Sequence, residues 1–90
     1  MEIFKYHLEI ADTCKTKMPV GAEVLHVAEQ HGELCVWALV NPENTLQEQL
    51  FRIFGTGHRI PDDEYFLKHV GTVLMENGKL VWHVFQYKIS

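Results

Sequence analysis

Apolar and polar side chains alternate with a period of two along most of this 90-residue chain. From Phe4 to Ile10 every second residue is apolar, and the residues between them are Lys5, His7 and Glu9. A half-buried strand has this pattern, because successive side chains of a strand point to opposite faces of its sheet. Residues 13–18 alternate in the same way and end at a proline. The sequence therefore predicts short strands rather than helices.

The last third of the chain contains the clearest hairpin. Asn77-Gly78 supplies the two positive-φ positions of a type I′ turn. Apolar residues on both faces of this hairpin predict that it is central in the fold, or that one face belongs to an interface. Counting outward from the turn gives these cross-strand pairs: Glu76 with Lys79, Met75 with Leu80, Val73 with Trp82, and Gly71 with Val84.

A second hairpin is predicted for residues 23–30 and 34–40, closed around His31-Gly32. A two-residue turn there pairs Val27 with Val36, His26 with Trp37, and Leu25 with Ala38.

The segment 45–54 fits two patterns. Thr45-Leu46-Gln47-Glu48 matches a helix capping box, and apolar residues that follow it share a helical face. The same residues also alternate, and the second half is rich in strand formers. We favour a strand over about 48–54, with room for one helical turn before it.

These elements predict a single domain spanning 1–90, mainly all-β, with at most one short helix. The expected architecture is a compact antiparallel β-sandwich or small barrel of about six to seven strands built from hairpins. The chain is 47% hydrophobic, which is enough apolar material for one core without a metal or disulfide.

The charge balance argues against a nucleic-acid binder. The net charge is −4, and the eight basic residues are scattered rather than clustered on one segment. One or two basic groups can still hold a small anion. We identify no signal peptide and no apolar run of membrane-spanning length, so a cytoplasmic protein is expected.

The segment Gly55-Thr56-Gly57-His58-Arg59 is the least typical of an ordinary turn. Two glycines flanking a threonine can point successive N–H groups into one concavity, with Thr56, His58 and Arg59 as further donors to an anion. The alternative is a surface connection whose glycines only satisfy turn dihedrals.

Trp37 and Trp82 are the other candidate ligand-binding residues. Each lies in a predicted strand, where an indole can form a platform for a base or an anchor for a protein partner. The alternative is that they are core residues.

Catalytic and metal sites are not expected. The six histidines share no recognised metal-ligand spacing, so we predict no metal and no cofactor. Cys14 and Cys35 are expected to be reduced, with at least Cys35 packed in an apolar strand. The chain is predicted not to be an enzyme, and a minor site built from His58 with Asp62 or Asp63 ranks well behind.

Several segments together resemble a family of small uncharacterised phage and prophage proteins. The resemblance covers nearly the whole chain and includes the GTGH and WALV motifs at 55–58 and 37–40. It also includes these segments: Lys5-Tyr6-x-Leu8-x-Ile10, Met18-Pro19-x-Gly21-Ala22, Phe51-Arg52-Ile53, Gly71-Thr72-Val73 and Leu80–Phe85. The resemblance brings no catalytic or binding residues. It implies an accessory protein acting in the cytoplasm of an infected bacterium.

From these observations we expect a binding protein that sequesters a small anionic, nucleotide-derived signal and so counters host defence. The expected site is Gly55, Thr56, Gly57, His58 and Arg59 with Trp37 or Trp82. The alternative is an inhibitor that masks a host enzyme or regulator with an apolar face around Trp82 and Phe85. A homo-oligomer is expected, because a dimer interface adds stability to so small a protein and a ligand held between protomers would explain the hairpin with two apolar faces.

Overall fold

Seven β-strands make up the computed structural model, which describes residues 1–62 and 67–87. The strands are β1 (Glu2–Leu8), β2 (Thr13–Pro19), β3 (Glu23–Gln30), β4 (Glu33–Val40), β5 (Leu46–Gly55), β6 (Leu67–Met75) and β7 (Leu80–Tyr87).

The strands form two antiparallel sheets packed face to face. Sheet 1 has the order β1-β4-β3, and sheet 2 has the order β2-β5-β7-β6. The edge strand β3 packs against β6, and β1 lies near β2 at the opposite side. The predicted all-β sandwich is thereby confirmed, as two separate sheets rather than a closed barrel.

Only two connections are hairpins between neighbouring strands, β3–β4 and β6–β7. The connections β1–β2, β2–β3 and β4–β5 carry the chain from one sheet to the other. The connection from β5 to β6 stays in sheet 2 but passes β7. The crossings bring residues distant in sequence into one core.

The alternation seen in the sequence decides which side chains fill that core. In β4, Leu34, Val36, Ala38 and Val40 are buried and point toward sheet 2. From sheet 2 the main contributions are Met18, Phe51, Ile53, Val73 and Val84. Burial of these apolar side chains is the main term that stabilises the sandwich.

The register of both predicted hairpins is largely confirmed. Val73 faces Trp82, and Val27 faces Val36. The pairing of Leu25 with Ala38 is wrong, because a β-bulge between Val24 and His26 places Val24 opposite Ala38. The extra residue in the bulge is Leu25, whose side chain is 45% exposed.

The turn between β6 and β7 has the positive φ values predicted for Asn77 (58°) and Gly78 (84°). Glu76 also has a positive φ of 51°, so the turn contains three consecutive residues in this region. The Lys79 N–H donates to the Glu76 carbonyl oxygen at 3.2 Å.

The ambiguous segment 45–54 is a strand. β5 begins at Leu46 and pairs with both β2 and β7, so the capping-box interpretation is wrong. Pairing with β2 from Leu46 to Arg52 gives the first half of β5 a ladder of backbone hydrogen bonds, which outweighs the local preference of its first turn. The buried Gln49 side chain is satisfied, since its Nε2 donates to the carbonyl oxygens of Leu50 and Tyr87.

Candidate functional site

A pocket of about 230 Å³ lies where β5 ends and β7 begins. The last residue of β5, Gly55, is paired with Trp82 of β7, so the loop after β5 and the start of β7 form neighbouring walls. The lining residues are Gly55, Thr56, His58, Lys79, Leu80, Val81 and Trp82.

The loop after β5 folds back on itself through His58. The His58 N–H donates to the Gly55 carbonyl oxygen at 3.0 Å, and the Gly55 N–H donates to His58 Nδ1 at 3.0 Å. Because Nδ1 accepts this bond, a neutral His58 ring carries its proton on Nε2. The ring also fits because Gly55 has no side chain, since a Cβ there would lie 2.9 Å from His58 Cε1.

A chain of hydrogen bonds on the outer face of sheet 2 fixes Thr56. Its Oγ1 lies 2.8 Å from His83 Nε2, and Thr72 Oγ1 lies 3.0 Å from His83 Nδ1. Thr72 Oγ1 also lies 3.3 Å from His69 Nε2. With both ring nitrogens engaged, a neutral His83 donates to one threonine and accepts from the other. The network attaches the loop to β7 and β6.

Trp82 belongs to this site. Its side chain lies on the inner face of sheet 2, opposite Val73, and its Nε1 is buried with no hydrogen-bond partner among the described residues. A buried donor without a partner costs about 1–3 kcal/mol, and because this nitrogen has almost no accessible surface, a ligand acceptor can bond to it only if the ring moves. A second pocket of about 170 Å³ shares Trp82 and His58 with the first, and its other lining residues are Ile10, Ala11, Asp12 and Ile53.

The polar side chains of the first pocket can all donate hydrogen bonds. They are Thr56, His58, Lys79 and Trp82, and the remaining lining side chains, Leu80 and Val81, are apolar. Sequence reasoning missed Lys79 as a site residue. It lies next to the turn of the last hairpin, and only the pairing of Gly55 with Trp82 shows that this turn lies beside the GTGH loop.

The loop offers fewer free N–H groups to an anion than the glycine pattern predicts. Two of its N–H groups, those of Gly55 and His58, are bonded within the loop. Gly57 has a φ of 88°, which accounts for a glycine at this position.

Arg59 does not line the pocket in the described part of the chain. Its Nη2 lies 3.9 Å from Asp62 Oδ2 in a highly exposed ion pair, a type that contributes little to stability.

Trp37 lies elsewhere. It is on the outer face of sheet 1, where it pairs with His26 at a ring-centroid distance of 6.1 Å. The inner face of sheet 1 packs against sheet 2, so the core separates Trp37 from the pocket. The structure therefore brings Trp82, and not Trp37, together with residues 55–58.

The described residues offer little nucleophilic or metal chemistry. Burial, with a smaller contribution from the negative charge of Glu9, raises the pKa of the Cys14 thiol to about 11, so it is protonated near neutral pH. Cys35 is buried as well. Among residues 1–62 and 67–87, no group of three or more His, Cys, Asp or Glu side chains is placed to hold a metal ion. Asp63, named above with His58 and Asp62, lies outside the described residues.

The chain is similar to a known protein family. A protein family described as a domain of unknown function (DUF7352) matches residues 1–90. No curated protein matches the chain, and no solved structure does. In the described residues, no helix has the length and apolarity needed to cross a membrane.

Proposed function

We propose that this chain, which belongs to the family of the domain of unknown function DUF7352, binds a small anionic ligand in the pocket between the GTGH loop and the start of β7. The observation that carries the proposal is the composition of the lining. Its polar side chains are donors or a cation, and its other side chains are apolar. Such a site favours an anion with a flat or apolar part.

Each polar group has a distinct role in this proposal. Lys79 supplies the positive charge, and Thr56 is held at the rim by His83. His58 Nε2–H can donate to an oxygen acceptor, and the Trp82 side chain lines the pocket although its Nε1–H is buried. A charge-assisted bond to Lys79 is stronger than the neutral ones, so Lys79 is expected to contribute most to affinity.

The size of the pocket limits how much of a ligand it can enclose. Sites for drug-sized ligands have volumes of about 300–1,000 Å³, and this pocket has about 230 Å³. It therefore encloses one part of a nucleotide, such as a phosphate or a base. The second pocket shares His58 and Trp82, so a longer ligand could extend past these two side chains.

A nucleotide-derived signal is the ligand class we favour. The pocket chemistry supports an anion with a ring, and the resemblance to phage and prophage proteins supports an accessory role. In that role the protein sequesters a signal that a bacterial host uses in antiviral defence, without converting it.

Native mass spectrometry with a panel of linear and cyclic nucleotides tests the proposal. We expect one nucleotide to be retained at fixed stoichiometry by the wild type and to be bound at least tenfold more weakly by Lys79→Ala. Lys15→Ala is the matched control, because Lys15 is an exposed lysine on β2 and its substitution removes the same charge. Equal binding by both variants would show that the pocket is not the site, and no retention across the panel would contradict the nucleotide assignment.

The alternative function, masking of a host protein by an apolar face, would use a different surface from the one first expected. Trp82 points to the inside of sheet 2, whereas Phe85 lies on its outer face beside Phe54 and His69. The outer face also exposes Leu74, which is 61% accessible. A host protein whose binding is lost in Leu74→Glu, but kept in Leu46→Glu, would support this alternative.

A further inference from the structure

The two sheets have four edge strands, and three of them are protected against pairing with another strand. β3 has a bulge between Val24 and His26, and β6 has one between His69 and Gly71. β2 ends in Pro19 and has lysines at positions 15 and 17. Bulges, prolines and lysines are the usual means by which edge strands avoid pairing.

β1 has little of this protection. Its seven residues pair with β4 in unbroken register, with neither a bulge nor a proline, and Lys5 is its one lysine. Its other edge is free in the order β1-β4-β3. The chain start also exposes large apolar side chains, with Met1 75%, Ile3 60% and Phe4 38% accessible. An unprotected edge with exposed apolar side chains is suited to adding a strand.

The sequence of β1 is complementary to itself in one antiparallel register. A two-fold axis perpendicular to the sheet keeps each face on its own side, so odd positions must pair with odd and even with even. Centring the pair on Phe4 places Phe4 opposite its own copy, Ile3 opposite Lys5, and Glu2 opposite Tyr6. Two aromatic rings then pair, the lysine stem covers Ile3, and the tyrosine hydroxyl can donate to the glutamate.

The neighbouring registers are less favourable. Centring on Ile3 pairs only residues 1–5 and places the charged Glu2 opposite Phe4. Centring on Lys5 places two lysines opposite each other, which is destabilising. Centring on Tyr6 leaves the exposed Ile3 without a partner in β1. It also pairs Phe4 with Leu8, whose side chain is buried in the core of its own protomer, with 1% exposed.

We propose that β1 pairs with β1 of a second copy of this chain in the Phe4-centred register, joining two three-stranded sheets into a continuous six-stranded sheet. The occupant is a second copy because the strand matches itself in side-chain shape and charge. A 90-residue domain also buries a modest share of its surface, so association adds stability. The free edge of β1 is on sheet 1, and the ligand pocket lies between β5 and β7 of sheet 2, so this proposal does not depend on the proposed function.

Oligomeric state tests the surface. Light scattering coupled to size exclusion is expected to show a dimer for the wild type and a monomer for Phe4→Glu, which places two carboxylates opposite each other. Leu46→Glu is the control, because Leu46 is 58% exposed and the charge change is the same. Circular dichroism and thermal melting establish that each variant is folded.

Cysteine cross-linking tests the register. Opposite residues of an antiparallel pair have Cα atoms about 4.5–5.5 Å apart, within the range of a disulfide. Phe4→Cys is therefore expected to form a covalent dimer on mild oxidation. Lys5→Cys is not expected to do so. In this register the two copies of position 5 are offset by two residues along the strand, so their Cα atoms lie farther apart than the limit of about 7 Å for a disulfide. The native Cys14 and Cys35 are buried and should not compete.

A monomeric wild type, or a dimer that Phe4→Glu leaves intact, would overturn the proposed surface. Cross-linking through Lys5→Cys as fast as through Phe4→Cys would overturn the register.

Discussion

The imidazole ring of His58 lies over Gly55, at the place where any other residue would carry its Cβ. His58 Nδ1 accepts the Gly55 N–H at 3.0 Å, and a Cβ on Gly55 would lie 2.9 Å from His58 Cε1. This contact fixes the shape of the GTGH loop, since it joins the first and last of its four residues. It also places His58 in the lining of both pockets.

Gly55→Ala is expected to displace the His58 ring and break its hydrogen bond, at a cost of about 1 kcal/mol in the free energy of unfolding. In a His58→Ala background the same change should cost little, because the ring that it meets is gone and alanine is compatible with a strand. Urea unfolding of the four proteins measures the coupling. Additive effects would show that the two residues do not interact.

Thr72→Val removes the hydroxyl that lies within hydrogen-bond distance of both His83 and His69. We expect a loss of about 0.5–1.5 kcal/mol in stability, because His83 Nδ1 loses its threonine partner while the shape of the side chain is kept. Thr13→Val, at an exposed edge position on the same face, is the control and should change stability by less than about 0.5 kcal/mol. Equal losses in the two variants would contradict the role of the network.

Gly71→Ala tests a close approach between the two sheets. A Cβ at Gly71 would lie 2.8 Å from Cγ1 of Val27, which belongs to β3 of the opposite sheet. Overpacking of this kind costs about 1–3 kcal/mol, and we expect that loss in urea unfolding. Combining it with Val27→Ala should recover part of the penalty relative to the sum of the single changes. If the effects of the two changes are fully additive, the stability lost in Gly71→Ala does not come from contact with Val27.

The pH dependence of stability should reflect Cys14. Its pKa is about 11 in the folded protein against an ordinary value of 9.0, because burial opposes the thiolate. Above pH 9 the unfolded chain releases a proton that the folded chain retains, so stability falls between pH 9 and 11, by at most about 3 kcal/mol.

Cys14→Val keeps the apolar volume and removes the thiol. The difference in unfolding free energy between wild type and Cys14→Val should therefore change across this pH window and be constant below pH 8. A difference that is constant over the whole range would contradict the raised pKa.

Much of the fold could be predicted from the sequence because strand period and turn chemistry are local signals. The hairpin around Asn77-Gly78 has the predicted pairs Val73–Trp82 and Met75–Leu80. The bulge at Leu25 could not be predicted from the pattern, because one extra residue within an edge strand has no local turn signal. The order of strands within each sheet was also beyond the sequence, since three connections cross between sheets.

The candidate site was predictable only in part. The GTGH loop was identified by its glycines, but its meeting with Trp82 rests on the pairing of β5 with β7, which are distant in sequence. Lys79 was overlooked for the same reason. Trp37 and Trp82 looked equivalent in sequence because both lie in apolar strands, and only the assignment of strands to sheets separates them.

Nuclear magnetic resonance titration tests the central claim most directly, because each of the two tryptophans has its own indole N–H signal. Wild-type protein is titrated with the panel of linear and cyclic nucleotides. We predict that a bound nucleotide shifts the Trp82 indole signal and the amide signals of residues 55–58, and leaves the Trp37 indole signal unchanged. A panel in which no nucleotide moves the Trp82 signal, or in which Trp37 moves as much as Trp82, would contradict a binding site at this pocket.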